Sequence, residues 1–377
     1  MVLRSSAGRA SSKFFSSASA RSRGPAGAVI VNLDQVPGDG SKAVDPDTQS
    51  SSTAPAVSVI IPVRNRRDLL LETLAALDAQ TYRDFEVIVA DDGSTDGSRE
   101  AAEASTIAGR PVRVLQSPGR GAVAARRDAC DRALAPLLAF TDSDCRPSPT
   151  WLSSLVAAAA AGADLISGPT LAQRDPKPLE RTMVSPGDDG GYPTCNVMYR
   201  RELYDKAGGF VTVPDHPLTG IATTSSLNAG FWEDTLMGWR LRRIGATTAF
   251  APNAVVHHSV FPPDVPDLMR RTWSIHVAPA VLDLVPEMAD SHLRHHLVRN
   301  CREAGLLPLI TTAALVRRRR LAAALVGVWA AARIRTHARN HVSARDIARA
   351  LPIEFAVDAV RMAAVVRGQV RARRFVL

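Results

Sequence analysis

Two aspartates one residue apart follow a short apolar run at 137–140, in the segment LLAFTDSD. Successive side chains of an extended strand point to opposite faces, so Asp142 and Asp144 would point the same way. Like charges side by side repel each other, and folding alone does not require that arrangement. Hard divalent cations such as Mg²⁺ take carboxylate oxygens as ligands, so a bound cation is one interpretation. A solvated loop with aspartate-stabilised turns, ahead of Pro147 and Pro149, is the other.

A second acidic pair, Asp91 and Asp92, ends the apolar segment 85–90 and precedes a Gly-Ser dipeptide. A carboxylate at this position can accept hydrogen bonds from a nucleobase N–H or from ribose hydroxyls. The same residues also suit a turn followed by a helix N-cap. The residues alone leave both interpretations open.

Three further groups of side chains could take part in chemistry. Glu233 and Asp234 open a predicted helix, where the helix dipole favours acids, and one of them could be a base toward a substrate hydroxyl. His258 ends a predicted strand; a lone histidine is more often structural, but imidazole beside two carboxylates could complete a metal shell. Arg126 and Arg127 could pair with phosphates, or could belong to an exposed helix face.

A regular alternation of strands and helices begins at residue 56 and must position these groups. It implies crossover connections and a mostly parallel sheet. Right-handed crossovers bring the strand ends to one rim, where open α/β sheets bind ligands. The predicted strands are 57–63, 85–94, 112–117 and 137–144, with helices at 67–80 and 122–134.

Beyond residue 163 the pattern is looser. Two loops, 171–194 and 211–230, are predicted to shape part of the site. The segment WEDTLMGWRLRRIG predicts a helix over 232–245, and TTAFAPNAVVHHS predicts one strand over 247–259.

The two ends of the chain differ in composition from the middle. Residues 1–55 are rich in Ser, Ala, Gly and Arg, which predicts a disordered extension; a mitochondrial transit peptide is the alternative. The overall net charge is +9, and residues 263–377, with 19 arginines and 9 acidic residues, contribute +10. Because this tail lacks interleaved aromatic side chains, nucleic acid is not an expected partner.

The tail is predicted to be helical. Its apolar segments, 304–316 and 321–332, would each cover about 20 Å, less than the ~30 Å of a bilayer core. A joined span would bury Arg317–Arg320 in lipid. The tail therefore suits contact with an anionic membrane surface, or a helical subdomain with solvated arginines. Scattered cysteines favour a reducing, cytoplasmic location, and the basic tail favours a position peripheral to the inner face of the cell membrane.

The order and spacing of these motifs resemble the family 2 glycosyltransferases with a GT-A fold. The resemblance covers about residues 56–260 and rests on VSVIIPVRNRRDLLLETLAALDAQ, FEVIVADDGS, GAVAARRDAC, LAFTDSDCRPSPTWL, CNVMYRRELYDKAGGF, WEDTLMGWRLRRIG and APNAVVHH. It implies an α/β GT-A domain at 56–262, after the extension 1–55 and before a basic helical tail at 263–377. No glycine occurs in VSVIIPVRNRR, which disfavours a nucleotidyltransferase.

The resemblance also implies an activity. That activity is the inverting transfer of a sugar from a nucleotide diphosphate-sugar donor, assisted by Mg²⁺ or Mn²⁺. The implied acceptor is a carbohydrate or a lipid-linked hydroxyl or phosphate, in the synthesis of cell-envelope polysaccharide or glycolipid. An inactive nucleotide-sugar-binding scaffold is the alternative, although a scaffold has no need of the full set of carboxylates.

Residue by residue, the resemblance assigns roles around one site. Asp234, in the motif WED, matches the catalytic base. The D-x-D pair, Asp142 and Asp144, matches the residues that hold ribose and metal, and His258 lies where some members have a third metal ligand. The nucleotide-sugar contacts are assigned to Pro62, Arg64, Asp92, Arg126 and Asp142, and the acceptor side to Cys195, Asn196 and Glu233.

Two positions depart from the family pattern. Arg64 replaces the usual aromatic residue of the first loop, and Cys195-Asn196 replaces the usual Gly-Asn. These departures leave open how the base is stacked and how the acceptor wall is built.

Overall fold

The structure is a computed structural model that describes residues 54–117, 119–210, 232–278, 282, 285–287 and 304–372. The predicted N-terminal extension, apart from residues 54 and 55, lies outside the described residues. So does the predicted loop at 211–230.

Twelve strands occur in the described part of the chain and form three sheets. In chain order they are β1 (Val57–Val63), β2 (Phe85–Asp91), β3 (Thr106–Ile107), β4 (Arg110–Pro111), β5 (Arg113–Gln116), β6 (Leu137–Phe140), β7 (Cys145–Pro147), β8 (Leu165–Ser167), β9 (Thr170–Ala172), β10 (Val197–Arg200), β11 (Thr248–Phe250) and β12 (Val256–His258). The main sheet has the order β11-β8-β10-β6-β1-β2-β5, a second has β7-β12-β9, and β3 and β4 form a hairpin.

The predicted mixed α/β architecture with a mostly parallel sheet is confirmed. Four of the six pairings in the main sheet are parallel, and only β10 runs antiparallel to its neighbours. All seven residues of β1 are buried, as expected for a central strand covered on both faces. Because Val63 pairs with Asp91 and Ile60 with Phe140, the carboxyl ends of β1, β2 and β6 meet at one rim.

One strand was missed, and one strand prediction was wrong. Strand β10 was not predicted, because four residues after an irregular loop carry almost no periodic signal. The single strand predicted over 247–259 is two strands, β11 and β12, which belong to different sheets. Pro252 lies between them, and proline cannot donate a ladder hydrogen bond. The break matters because β12 carries His258 to Cys145 of β7, next to Asp144.

Ten α-helices occur in the described residues. They are α1 (Arg67–Asp78), α2 (Ser98–Glu103), α3 (Ala122–Arg132), α4 (Trp151–Ala160), α5 (Arg201–Lys206), α6 (Glu233–Arg243), α7 (Val265–Trp273), α8 (Leu307–Leu315), α9 (Arg319–Arg339) and α10 (Ala344–Ala372). Short 3₁₀ turns follow α7 and precede α8. Helix α1 buries Leu70, Leu74 and Leu77, the apolar positions that predicted it.

The tail is helical, as predicted. Asp358 of α10 is fully buried between the helices and accepts hydrogen bonds from Trp329 Nε1 (3.0 Å) and from the guanidinium groups of Arg333 and Arg361 (2.7 Å each). This charged centre holds α9 and α10 together. Within the ranges given above, no helix combines the length and the apolar content that crossing a membrane requires.

Helix α6 depends on a glycine for close packing, which gives a test of the fold. A Cβ added at Gly238 would lie 2.1 Å from Cδ2 of Tyr192. We expect Gly238→Ala to lower the free energy of unfolding by about 1–3 kcal/mol, although alanine is the better helix former. In the control variant Gly327→Ala, the added Cβ meets no atom within 4 Å, and stability should rise by about 0.5–1 kcal/mol. Chemical denaturation measures both; equal gains in stability would contradict the packing argument.

Candidate functional site

A cleft of about 530 Å³ opens at the rim where β1, β2 and β6 end. It lies where parallel α/β sheets bind ligands. Ten of the eleven predicted site residues line it, from seven separate parts of the chain: Pro62, Arg64, Asp92, Arg126, Asp142, Asp144, Cys195, Glu233, Asp234 and His258.

The eleventh residue, Asn196, lies beneath the cleft and is fully buried. Its Oδ1 accepts from Trp151 Nε1 (2.8 Å), and its Nδ2 donates to the carbonyls of Pro169 (3.0 Å) and Ala254 (2.9 Å). Because these bonds connect the start of α4 (Trp151) with the turns that precede β9 and β12, Asn196 supports the wall of the cleft. The geometry does not support a contact between Asn196 and an acceptor.

Arg126 of α3 joins two carboxylates at the floor of the cleft. Its Nη2 lies 2.6 Å from Asp142 Oδ1, and its Nη1 lies 3.2 Å from Glu233 Oε1. The side chains of Arg126 and Glu233 are each about 6% exposed, whereas Asp142 is 28% exposed. Burial opposes the charge on Arg126, but the two anions outweigh it, so its pKa stays above the usual range. The guanidinium is therefore a permanent cation between the loop that carries Asp142 and the start of α6, which carries Glu233.

The two acids at the start of α6 have different surroundings. Glu233 is buried, and its Oε2 has no hydrogen-bond partner. Burial, and then the charge of Asp234, raise the pKa of Glu233 to about 8. Asp234 is only half-buried and faces the cleft, and burial raises its pKa to about 6. Its Oδ1 accepts from Thr235 N at 2.7 Å, which fixes its orientation. Asp234 is thus the acid that can reach a bound hydroxyl and is ionised at neutral pH.

Asp92 is held by the backbone. Both of its carboxylate oxygens accept from Gly121 N, at 3.1 and 3.0 Å, and Arg64 Nη1 lies 3.6 Å from Oδ2. Gly121 is the residue before α3, so Asp92 fixes the start of the helix that carries Arg126. Arg64 is half-exposed at the mouth of the cleft. Its guanidinium can stack on a planar ring, as the aromatic residue expected at that position would.

Asp144, Cys145 and His258 form the group best suited to hold a metal ion among the described residues. Their ligand atoms lie within 4.8 Å of one another. His258 Nδ1 lies 2.8 Å from the Ser259 carbonyl oxygen, which can only accept, so Nδ1 carries the proton. In the neutral tautomer with Nδ1 protonated, Nε2 offers a lone pair, and this atom lies 3.5 Å from Asp144 Oδ1. Two acceptors facing each other fit a cation between them, and carboxylate with imidazole is a donor set for a divalent metal.

Two neighbours decide which atoms of this group would bind the metal. A hydrogen bond to Cys195 and burial raise the pKa of the Cys145 thiol well above its usual range, so in the absence of a metal ion the sulfur keeps its proton. Arg66 donates to Asp144 Oδ2. Asp142 does not join the group, since its Oδ1 is held by Arg126, and its role as a metal ligand stays a prediction.

Sequence reasoning missed three cationic side chains of the cleft. Arg66, Arg181 and Arg271 line it, from the first loop, the loop 171–194 and the tail helix α7. No local pattern distinguishes them from the many other arginines of the chain. Only the long-range contacts of the fold bring them to the site.

Comparison with known proteins identifies a protein family for the part of the chain that forms the cleft. Residues 58–212 match the family model "Glycosyl transferase family 2". The glycosyltransferase AglE of Haloferax volcanii is 32% identical over 184 residues, which cover 45% of this chain and 60% of that protein. Validoxylamine A glucosyltransferase of Streptomyces hygroscopicus subsp. jinggangensis is 40% identical over 112 residues, 29% of this chain and 26% of that protein. The matches thus span less than two thirds of either relative.

A solved structure extends the likeness over nearly the whole chain. The mannosyltransferase PcManGT from Pyrobaculum calidifontis, in complex with GDP-Man and Mn²⁺, superposes with a TM-score of 0.50 at 20% identity. The superposition covers 89% of this chain and 91% of that one, so the two share a fold. The predicted GT-A fold with a C-terminal helical extension is therefore confirmed. By its sequence match, the segment 58–212 is a family 2 glycosyltransferase domain, and the chain as a whole shares the fold of PcManGT.

Proposed function

We propose that the protein is an inverting, metal-dependent glycosyltransferase that uses a nucleotide diphosphate-sugar donor. The observation that carries this proposal is the convergence of Asp144, His258 and Asp234 in one cleft at the carboxyl rim of the main sheet. The acceptor is a hydroxyl or phosphate on a carbohydrate or lipid-linked molecule, in cell-envelope polysaccharide or glycolipid synthesis. The names of the family relatives support the reaction class, and the ligands of PcManGT, GDP-Man and Mn²⁺, are of the proposed kind.

The proposed mechanism assigns one task to each group of side chains. Asp144 and His258 would hold Mg²⁺ or Mn²⁺, and such an ion would neutralise the negative charge of the diphosphate leaving group. Asp234 takes the proton of the acceptor hydroxyl while the oxygen of that hydroxyl attacks the anomeric carbon. A single displacement of this kind inverts the anomeric configuration and forms no covalent bond to the enzyme. Arg126 keeps the two carboxylates beside it in place.

The experiment that tests this function is a thermal-shift screen of the purified protein. GDP, UDP and their sugars are added with and without Mn²⁺, and we expect at least one to raise the melting temperature only when Mn²⁺ is present. Asp144→Ala should remove that shift. The control Asp175→Ala, which removes an exposed carboxylate outside the cleft, should keep it. No shift with any donor at millimolar concentration would contradict the proposal.

We also propose that the tail contacts an anionic membrane surface. Leu315 and Val316 are 78% and 61% exposed at the end of α8, and Leu321 is 50% exposed at the start of α9. The exposed residues Arg317–Arg320 lie between them. Apolar side chains next to a basic cluster suit the interface of a bilayer that contains anionic lipid. The three described cysteines are free thiols, which agrees with a location on the cytoplasmic side.

Sedimentation with lipid vesicles tests this contact. We expect binding to vesicles of phosphatidylglycerol and phosphatidylcholine, and much weaker binding to phosphatidylcholine alone. Replacing Arg317–Arg320 with glutamine should weaken binding by about 4 kcal/mol at low salt, since each basic residue contributes about 1 kcal/mol near such a surface. The control variant removes the same charge elsewhere, at the exposed residues Arg83, Arg120, Arg127 and Arg132. Equal binding by both variants would argue against the α8–α9 turn as the contact.

A further inference from the structure

Two arginines from distant parts of the chain stack on Phe261, and a third lies close to them. The guanidinium carbon of Arg66 lies 5.1 Å from the centroid of the Phe261 ring, and that of Arg181 lies 4.4 Å from it. Reciprocal backbone hydrogen bonds between Arg181 and Phe261, at 3.1 and 2.8 Å, hold the two residues side by side. The positions of these two cations are therefore fixed by stacking and by the backbone.

The third arginine comes from the tail. Arg271 of α7 lies with its Nε 2.7 Å from Asp267 Oδ2, and Arg181 Nε lies 3.5 Å from the same oxygen. Asp267 thus connects a helix of the tail to a loop of the glycosyltransferase domain. Both arginines also line the cleft that contains Asp144.

Positive charge exceeds negative charge in this group. Arg66 is paired with Asp144, whereas Arg181 and Arg271 share Asp267, which Arg270 also contacts. Burial, and then the charge of Arg271, lower the pKa of Arg181. The neighbouring acids therefore do not fully compensate the cations, and an anion in the cleft would relieve the repulsion between them.

We propose that Arg66, Arg181 and Arg271 form a phosphate-binding subsite of the cleft, with Arg271 supplied by the tail. Planar guanidinium groups bind phosphate oxygens bidentately, and three of them can surround one phosphate group. Two sources could supply this phosphate, namely the diphosphate of the donor or a phosphate group on the acceptor. The inference rests on the proposed function, and it adds that the tail completes the substrate site.

The test uses a double variant that combines Arg181→Gln and Arg271→Gln. Its control is the single variant Arg270→Gln. Arg270 also bonds to Asp267, at 2.8 Å, but it does not line the cleft. Titration calorimetry in the presence of Mn²⁺ measures the affinity for GDP, UDP, GMP and UMP, and for octyl phosphate beside octanol. If the double variant does not keep the wild-type melting temperature, Arg271→Gln alone, at a half-exposed side chain, takes its place.

The source of the phosphate decides which affinity falls. A loss of about 10-fold to 100-fold for the nucleoside diphosphates, with little change for the monophosphates, assigns the subsite to the donor. The same loss for octyl phosphate alone assigns it to the acceptor, and either result supports the subsite. Affinities within twofold of the control for every probe would overturn it, and would leave the proposed function intact if Asp144→Ala still abolishes Mn²⁺-dependent nucleotide binding. Absence of binding by the unaltered protein to every phosphate probe would overturn both.

Discussion

Asp234→Asn is expected to reduce sugar transfer by about 10²–10⁴-fold, the usual contribution of a general base. Asparagine keeps the size of the side chain and can still accept from Thr235 N, as Asp234 Oδ1 does at 2.7 Å. It cannot take a proton from an acceptor hydroxyl. Because the base acts on the acceptor hydroxyl and not on the nucleotide, the affinity for the donor should stay within about threefold of wild type. A tenfold change would correspond to about 1.36 kcal/mol. Loss of donor binding together with transfer would contradict the assigned role.

The pH profile gives a second readout for the same residue. Burial raises the pKa of Asp234 to about 6, so the carboxylate becomes protonated as the pH falls through that value. Only the ionised form can act as a base. The rate of transfer at saturating substrate should therefore fall below pH 6, whereas an unperturbed aspartate would keep the rate until about pH 4. A rate that stays constant down to pH 5 would exclude Asp234 as the base.

Arg126→Gln is expected to lower the free energy of unfolding by about 3–5 kcal/mol, because it removes one partner from a buried group of charges. Asp142 would lose its bond of 2.6 Å, and Glu233 would lose its bond of 3.2 Å and remain buried. The control is Arg127→Gln, since Arg127 lies on the same helix and is exposed. Its replacement should change stability by less than about 0.5 kcal/mol.

The loss of stability in Arg126→Gln should depend on pH and should be larger at high pH than at low pH. Arg126 lowers the pKa of Glu233, although burial keeps that pKa high, so in the variant Glu233 should be protonated over a wider range of pH. A protonated Glu233 is neutral, so removing the guanidinium does not leave a buried charge without a partner. Denaturation should therefore show a smaller difference between the variant and wild type at pH 5 than at pH 8. Equal stability of the Arg126 and Arg127 variants at pH 8 would show that the bridge does not hold the floor of the cleft.

The sequence predicts best where one signal repeats over several residues. The run VSVIIPV, apolar except for Ser58, predicted β1 at its observed bounds, and the apolar spacing at Leu70, Leu74 and Leu77 predicted α1. The carboxylates at the ends of β2 and β6 were predicted to share a rim because parallel strands end together. The observed register of β1 with β2 and β6 confirms that these strand ends lie at one rim.

What the sequence did not predict depends on contacts between distant residues. Strand β10 is short, and its place between β6 and β8 is set by two antiparallel pairings. Asn196 belongs to a family motif, but its place beneath the cleft follows from Trp151 and from two carbonyl groups. Arg181 and Arg271 carry no motif, and only packing around Phe261 and Asp267 distinguishes them.

The shared carboxylate of Asp267 has a consequence for how the molecule opens locally. Helix α7 packs against α10, where Arg367 lies over the ring of Trp273 at 5.4 Å. It is also joined to Arg181 of the glycosyltransferase domain. Local opening of α7 must therefore break contacts on both sides, so the helix and the loop of Arg181 belong to one cooperative unit. Amide hydrogen exchange in α7 should accordingly report on events in the cleft, and removal of the chain beyond residue 262 would leave Arg181 without Asp267.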